Sequence, residues 1–154
     1  MESCCEAAPA DGSTERACPS CGRRGKSVDL VTLKALLRPE ALAVLGRGAH
    51  LFCASPECPV VYFGAGEVFQ REDVLVPVFQ KEPPGHRTVC YCFDVPEDRI
   101  IAEIELEGAS ASAERIRALV REDRCACELR NPQGSCCLGN VASLMRSGER
   151  AGVT

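Results

Sequence analysis

The residues best able to do chemistry in this chain are its twelve cysteines. Ten of them fall into short motifs with the spacing of metal ligands: Cys18/Cys21, Cys53/Cys58, Cys90/Cys92, Cys125/Cys127 and Cys136/Cys137. The other two, Cys4 and Cys5, lie near the N-terminus. Thiolates spaced this closely are typical of sites that bind soft or borderline metal ions. The sequence therefore predicts that the paired cysteines converge on metal centres.

The composition favours metal over disulfide bonds. The N-terminal residues show no basic segment followed by an apolar run, so no secretory signal is expected, and no apolar stretch is long enough to cross a membrane. We therefore predict a cytoplasmic protein whose cysteines stay reduced, with a disulfide scaffold as the alternative. The net charge of −4, with acidic and basic residues interspersed, predicts no nucleic-acid binding.

The first two motifs supply four thiolates from two short loops. Cys18 and Cys21 form a C-x-x-C, and Cys53 and Cys58 form a C-x4-C. Two such loops are able to close a tetrahedron of four sulfurs around Zn²⁺, and the metal would then support a fold with few aromatic residues. The alternatives are a redox C-x-x-C, which lacks its usual βαβ context, and replacement of one ligand by His50.

The later cysteines have a different spacing. Cys90 and Cys92 form a C-x-C just before a predicted helix. This spacing is tight for a single zinc ion, although it does not exclude one. It suits an iron–sulfur cluster held by four thiolates at helix starts, where backbone N–H groups face the sulfurs.

Four motifs in order resemble those of a known family. They are Cys18-Pro-Ser-Cys21, Phe52-Cys-Ala-Ser-Pro-Glu-Cys-Pro-Val-Val-Tyr-Phe63, Val89-Cys-Tyr-Cys92 and Asn131-Pro-Gln-Gly-Ser-Cys-Cys137. Together they resemble the N-terminal region of archaeal-type CopZ copper chaperones over residues 17–147. In that region a zinc site is joined to a 2Fe–2S domain similar to the bacterioferritin-associated ferredoxin.

The resemblance implies two sets of ligands: zinc at Cys18, Cys21, Cys53 and Cys58, and a 2Fe–2S cluster at Cys90, Cys92, Cys127 and Cys137. Cys125 and Cys136 are the alternatives at the last two cluster positions. The family also has a copper-binding M-x-C-x-x-C loop in a further domain. These residues contain no such motif, so copper delivery by that loop is not expected of them.

The pattern of elements predicts an α+β protein with two modules. Residues 1–16 resemble a disordered tail, and residues 17–82 a β-rich, zinc-ribbon-like module. Strands are predicted over Ser27–Leu33, Val60–Phe63 and Val74–Phe79, with a turn at residues 64–66. The state of residues 33–45 is left open.

A linker is predicted at residues 83–85, followed by a helical 2Fe–2S domain over 86–147 and a tail over 148–154. Asp94 and Glu97 have the spacing of a capping box, and a second helix is expected from Ser110 or Ser112. A last helix is expected to begin near Cys136 and to end at Gly148.

These features favour a small electron carrier or metallochaperone auxiliary with a redox or metal-carrier protein as its partner, for example one that receives copper. The alternatives are a non-redox zinc-binding interaction module and a thiol binder of Cu(I) or Hg(II). No arrangement of residues predicts an enzyme acting on an organic substrate.

Overall fold

The computed structural model describes residues 16–152, which divide into two compact units, one ending at Lys81 and the other beginning at Glu82. Except for Arg16, the predicted N-terminal tail lies outside the described residues, as do Cys4 and Cys5. No helix in the described part of the chain is long and apolar enough to cross a membrane.

The first unit is a four-stranded antiparallel sheet with two helices. Its elements are β1 (Lys26–Val28), α1 (Leu30–Leu36), α2 (Pro39–Ala43), β2 (His50–Phe52), β3 (Val60–Gly64) and β4 (Glu67–Gln70), followed by two short 3-10 helices, Arg71–Asp73 and Phe79–Lys81. The strand order is β1-β2-β3-β4.

Both faces of the sheet are covered, which positions the first cysteine motifs. Phe52 on β2 packs in the apolar core with Leu33 and Leu36 of α1. Leu51 and Cys53 lie with Cys18 and the other buried cysteine of the first group in a second cluster. Because successive side chains on a strand point to opposite faces, β2 sends Phe52 to the helices and its neighbours to the cysteines.

Of two strand predictions for this unit, Ser27–Leu33 is partly wrong and Val74–Phe79 is wrong. The predicted strand Ser27–Leu33 ends at Val28, and α1 begins at Leu30. Leu33 and Leu36 lie on one buried face of this helix, and their packing overrides the β propensity of Val31 and Thr32. In Val74–Phe79 only Val74 is bridged, to Leu37; Pro77 lacks the N–H that a ladder needs.

The hairpin that follows the second motif is confirmed. β3 begins at Val60 as predicted, and it turns into β4 through Ala65 and Gly66. Both turn residues have positive φ, 53° and 77°. Two positive φ values are typical of the type I′ turn, whose twist matches that of the flanking strands.

The second unit is mainly helical. Its elements are β5 (Thr88–Cys90), β6 (Val95–Pro96), α3 (Glu97–Glu107), α4 (Ala111–Arg121), α5 (Cys127–Arg130) and α6 (Leu138–Gly152). Helix α3 packs against α4 and α6, burying apolar side chains: Ile100, Ile104, Ala113, Ile116, Val141 and Leu144. Helix α4 begins directly after Ser110, one of the two predicted starts, and the Ser110 hydroxyl caps it by accepting a hydrogen bond from the Ala113 N–H at 3.0 Å.

The last helix is longer than predicted. Helix α6 continues through Gly148 to Gly152, so the predicted helix end at Gly148 is wrong. An isolated glycine within a helix costs only about 1 kcal/mol relative to alanine, which is too little to end a helix that its neighbours favour.

The predicted capping box at Asp94 and Glu97 does not form. Pro96 is the N-cap of α3 and has no side-chain cap, and the Glu97 carboxylate turns inward. It accepts hydrogen bonds from the Gly85 N–H at 2.6 Å and from Arg87 Nε and Nη2 at 2.6 and 2.9 Å. This ion pair ties the segment before β5, which leads to Cys90, to the start of α3.

Glu97→Gln should destabilise the second unit by about 3 kcal/mol at neutral pH, since Arg87 loses its buried counter-charge. Burial alone would raise the pKa of Glu97, but the Arg87 guanidinium and the Gly85 N–H hold it below its usual value. The stabilisation is therefore present above the unfolded-state pKa of about 4.3 and is lost as pH falls through the lower folded-state pKa.

Urea unfolding between pH 7 and pH 3 checks this prediction. The parent should lose more stability than Glu97→Gln on acidification, and Glu107→Gln, at an exposed position of α3, should behave like the parent. Equal acid sensitivity of the parent and Glu97→Gln would contradict the role of this ion pair.

Candidate metal centres

The structure brings Cys18, Cys21, Cys53 and Cys58 together. Their sulfur atoms all lie within 4.8 Å of one another. The distances are 3.8 Å between the sulfurs of Cys18 and Cys58 and 3.6 Å between those of Cys21 and Cys53. In a regular tetrahedron with Zn–S bonds of about 2.3 Å, the sulfurs lie about 3.8 Å apart. This donor set therefore fits one zinc ion.

The loop that carries Cys18 and Cys21, the first knuckle, has the local geometry that a metal site needs. Gly22 donates its N–H to the Cys18 carbonyl at 2.8 Å, and it has a φ of 77°. A positive φ suits glycine because it has no Cβ. The chain thereby folds back within five residues, and the sulfurs of Cys18 and Cys21 reach the same point.

The loop that carries Cys53 and Cys58, the second knuckle, connects strands β2 and β3. Cys53 directly follows β2, and its N–H donates to the Val61 carbonyl of β3 at 2.9 Å. The chain then turns, with the Cys58 N–H donating to the Ser55 carbonyl at 3.3 Å, and it enters β3 at Val60. The sheet hydrogen bonds therefore fix both ends of the loop that presents these two sulfurs.

Backbone N–H groups face the sulfurs of the first group. The Arg23 N–H is the main cause that lowers the pKa of Cys21 to about 7. Burial raises the pKa of Cys53 to about 12, against a contact from the Ser55 N–H that lowers it. Metal binding requires thiolates and releases their protons, and these amides stabilise the thiolate form.

His50 is not part of this group. It is buried at β2, where its Nδ1 lies 2.8 Å from the Gly48 carbonyl oxygen and its Nε2 lies 2.8 Å from Glu67 Oε2. Both ring nitrogens are therefore occupied, and the donor set consists of four cysteine sulfurs.

The cysteines of the second unit form a looser group. The sulfurs of Cys92 and Cys127 are 3.7 Å apart. The Cys137 thiol contacts both Cys127 and Cys90. In the described part of the chain, only the first group has three or more ligand atoms all within 4.8 Å of one another. The contacts thus run from Cys90 through Cys137 and Cys127 to Cys92, which is an extended arrangement.

Amide donors also surround this second group. The Ala126 N–H donates to Cys92 Sγ at 3.2 Å, although burial raises the pKa of Cys92 to about 12. The pKa of Cys127 falls to about 5, mainly because the Cys137 thiol donates to it, with the Cys137 N–H adding to the effect. The amides therefore favour negative charge at the sulfurs that they contact, whereas burial opposes it at Cys92.

A buried glutamine that the sequence analysis missed shapes the loop carrying Cys137. Asn131 begins a turn in which its carbonyl accepts the Gly134 N–H at 2.8 Å. The Gln133 amide donates to the Cys136 carbonyl at 3.0 Å and accepts from Asn140 Nδ2 of α6 at 3.0 Å. The sequence shows Gln133 as a polar residue between Pro132 and Gly134, but it does not show that Gln133 is buried.

The alternative ligands lie at the edge of the second group. Cys136 is exposed and Cys125 is half-buried, whereas Cys90, Cys127 and Cys137 are buried. The pKa of Cys125 is raised, with burial as the main cause. The Cys125 thiol also contacts the Cys127 thiol. The choice of Cys127 and Cys137 as ligands stays a prediction, and the contacts described above favour it.

Comparisons with known proteins agree on the first unit and extend beyond it. Residues 15–75 match the zinc binding domain of the CopZ family model. The X-ray structure of the N-terminal domain of CopZ from Archaeoglobus fulgidus is 27% identical, with a TM-score of 0.70. The match covers 83% of this chain and 96% of that one. No match was found among curated protein sequences.

The extent of the structural match matters for the second unit. The first unit ends at Lys81, little more than half of the chain, so a match over 83% must include part of the second unit as well. The chain therefore contains a CopZ-type zinc-binding domain and has a mixed helix and sheet fold like that of the archaeal CopZ N-terminal domain.

Proposed function

We propose that this protein is a one-electron carrier in metal handling, with zinc in the first unit and a 2Fe–2S cluster in the second. Copper is the proposed metal, because the similar solved structure belongs to a CopZ protein. The partner is a redox protein or a metal carrier, the setting is the cytoplasm, and no organic substrate is turned over.

The observation that carries the proposal is the gathering of four thiols from separate segments of the second unit. Cys90 ends β5, Cys127 begins α5, and Cys137 directly precedes α6, with Cys92 at 3.7 Å from Cys127. Their extended string of contacts suits a two-iron cluster better than a single tetrahedral ion. Cys90, Cys92, Cys127 and Cys137 would hold the cluster.

When bound, such a cluster accepts and releases one electron. The protein decides where that electron enters and leaves. Cys90 and Cys137 are 0% and 1% exposed, whereas Cys92 and its neighbours Tyr91 and Phe93 are half-buried. Electron exchange with a partner is therefore expected at the Cys92 edge, while the Cys90 side is shielded from water.

A specific observation supports a second candidate, a thiol binder of soft metal ions. The exposed thiol of Cys136 and the half-buried thiol of Cys125 remain outside the proposed ligand set. Thiolates favour ions such as Cu(I). This candidate predicts Cu(I) binding without iron.

The first test is metal and sulfide analysis of protein purified without oxygen. We expect one zinc, two irons and two acid-labile sulfides per chain, a red-brown colour, and a paramagnetic state after reduction by dithionite. A colourless protein that contains only zinc would contradict the cluster and favour a zinc-binding interaction module.

The reduced protein should also convert Cu(II) to Cu(I), one ion for each electron held. The assay mixes dithionite-reduced, desalted protein with Cu(II) and traps Cu(I) with a specific chelator. Free thiols also reduce Cu(II), so Cys90→Ala is the matched control. Equal rates for this variant and the parent would contradict the cluster as the reductant.

A further inference from the structure

A buried lysine lies beside the first cysteine group. Lys81 is only 4% exposed and ends the second 3-10 helix. Its Nζ donates to the Ser55 carbonyl at 2.8 Å and to the Cys58 carbonyl at 2.9 Å. Lysine is almost never buried to this degree unless its charge is paired, so the position requires an explanation.

The charge that pairs with Lys81 is that of the cysteine group. Its ammonium interacts electrostatically with the sulfurs of all four cysteines: Cys53, Cys58, Cys18 and Cys21. The two carbonyls that it contacts belong to the loop presenting Cys53 and Cys58, but they are neutral. With four neutral thiols the buried ammonium would contact only neutral carbonyls in the part of the chain that the structure describes, whereas with four thiolates around Zn²⁺ the site carries two negative charges.

We propose that Lys81 is the counter-ion of the zinc site, reducing its net charge from −2 to −1 and holding the Ser55–Cys58 loop in place. This role rests on the assignment of zinc to the first group. A cation beside thiolates makes them less nucleophilic and less easily protonated, so the bound metal is retained more tightly. Lys81 is a positioning residue, since it does not touch the metal.

This role couples Lys81 to the metal rather than to the fold alone. In the apo protein the buried ammonium is poorly paired and destabilises the first unit, while in the zinc form it is stabilising. Lys81→Met should therefore lower the stability of the zinc form and raise or preserve that of the apo form. A lysine that only packs would affect both forms in the same direction.

The experiment compares zinc loss to an excess of chelator in the full-length parent, Lys81→Met, Lys81→Arg and Lys34→Met. Lys34 lies at an exposed position of α1 and is the matched control. We expect Lys81→Met to release zinc 10–100-fold faster or bind it that much more weakly, as is typical when a group behind the ligands is removed. Lys81→Arg should recover part of the loss, and Lys34→Met should match the parent.

Thermal unfolding with and without zinc supplies the second readout. The gain in stability on zinc binding should be smaller in Lys81→Met than in the parent. Equal gains, or zinc release as slow as in Lys34→Met, would overturn the role of Lys81 alone. A parent that takes up no zinc would overturn the zinc assignment together with it.

Discussion

Cys53→Ser is expected to abolish zinc binding and to unfold the cysteine-bearing end of the first unit. The sulfur of Cys53 lies 3.6 Å from that of Cys21 and is buried beside the sheet. Metal binding contributes roughly 10 kcal/mol or more to such structural sites in small domains, which exceeds the stability of most folded units of this size. A hydroxyl is a far poorer zinc ligand than a thiolate.

Two measurements check this result: zinc content by elemental analysis, and the unfolding transition followed by far-ultraviolet circular dichroism. Cys125→Ser is the matched control, since it makes the same exchange outside the first group. The visible spectrum of the second unit should survive in Cys53→Ser, because the two units are separately compact. Full zinc content with an unchanged transition would contradict the structural role of the first site.

Cys127→Ala is expected to bleach the second unit completely. The Cys127 sulfur is central to the string of contacts, since it touches Cys137 and lies 3.7 Å from Cys92. Removing it leaves three thiolates for two irons, and the cluster should be absent from the purified protein. Cys137→Ala should have the same effect, because its sulfur contacts both Cys127 and Cys90.

The neighbouring cysteines provide the controls for ligand assignment. Cys125→Ala and Cys136→Ala remove a half-buried and an exposed thiol that are not in the proposed ligand set. Both variants should keep the iron content and nearly all of the visible absorbance of the parent. Bleaching by Cys125→Ala with a normal spectrum for Cys127→Ala would shift the ligand assignment to Cys125.

The first metal site follows from sequence because its ligands are close in the chain within each knuckle. Cys18 and Cys21 need only a local turn, and Gly22 supplies the positive φ that closes it. The hairpin after Val60 was equally accessible, since a β-branched run followed by glycine has a local cause. Such features depend on nearest neighbours, which a sequence displays directly.

Features that depend on distant packing were not accessible in this way. The segment Leu30–Leu36 is helical because Leu33 and Leu36 pack against the sheet, although its β-branched residues Val31 and Thr32 favour a strand. The Glu97 carboxylate pairs with Arg87 and does not form the expected capping box. Nothing in the sequence around Lys81 indicates that it is buried beside four sulfurs, as the fold shows. Each of these outcomes is decided by a contact between residues far apart in the sequence or by burial.

The half-buried edge at Cys92 has a further consequence for the sensitivity of the proposed cluster to dioxygen. If the second unit holds the proposed cluster, the edge through which electrons would leave for a partner would also admit dioxygen, and oxidation of the cluster would be expected to begin there. The Ala126 N–H that donates to Cys92 Sγ at 3.2 Å lies at this edge. In the proposed carrier, the atoms around Cys92 would therefore set both the speed of electron delivery and the lifetime of the cluster in air.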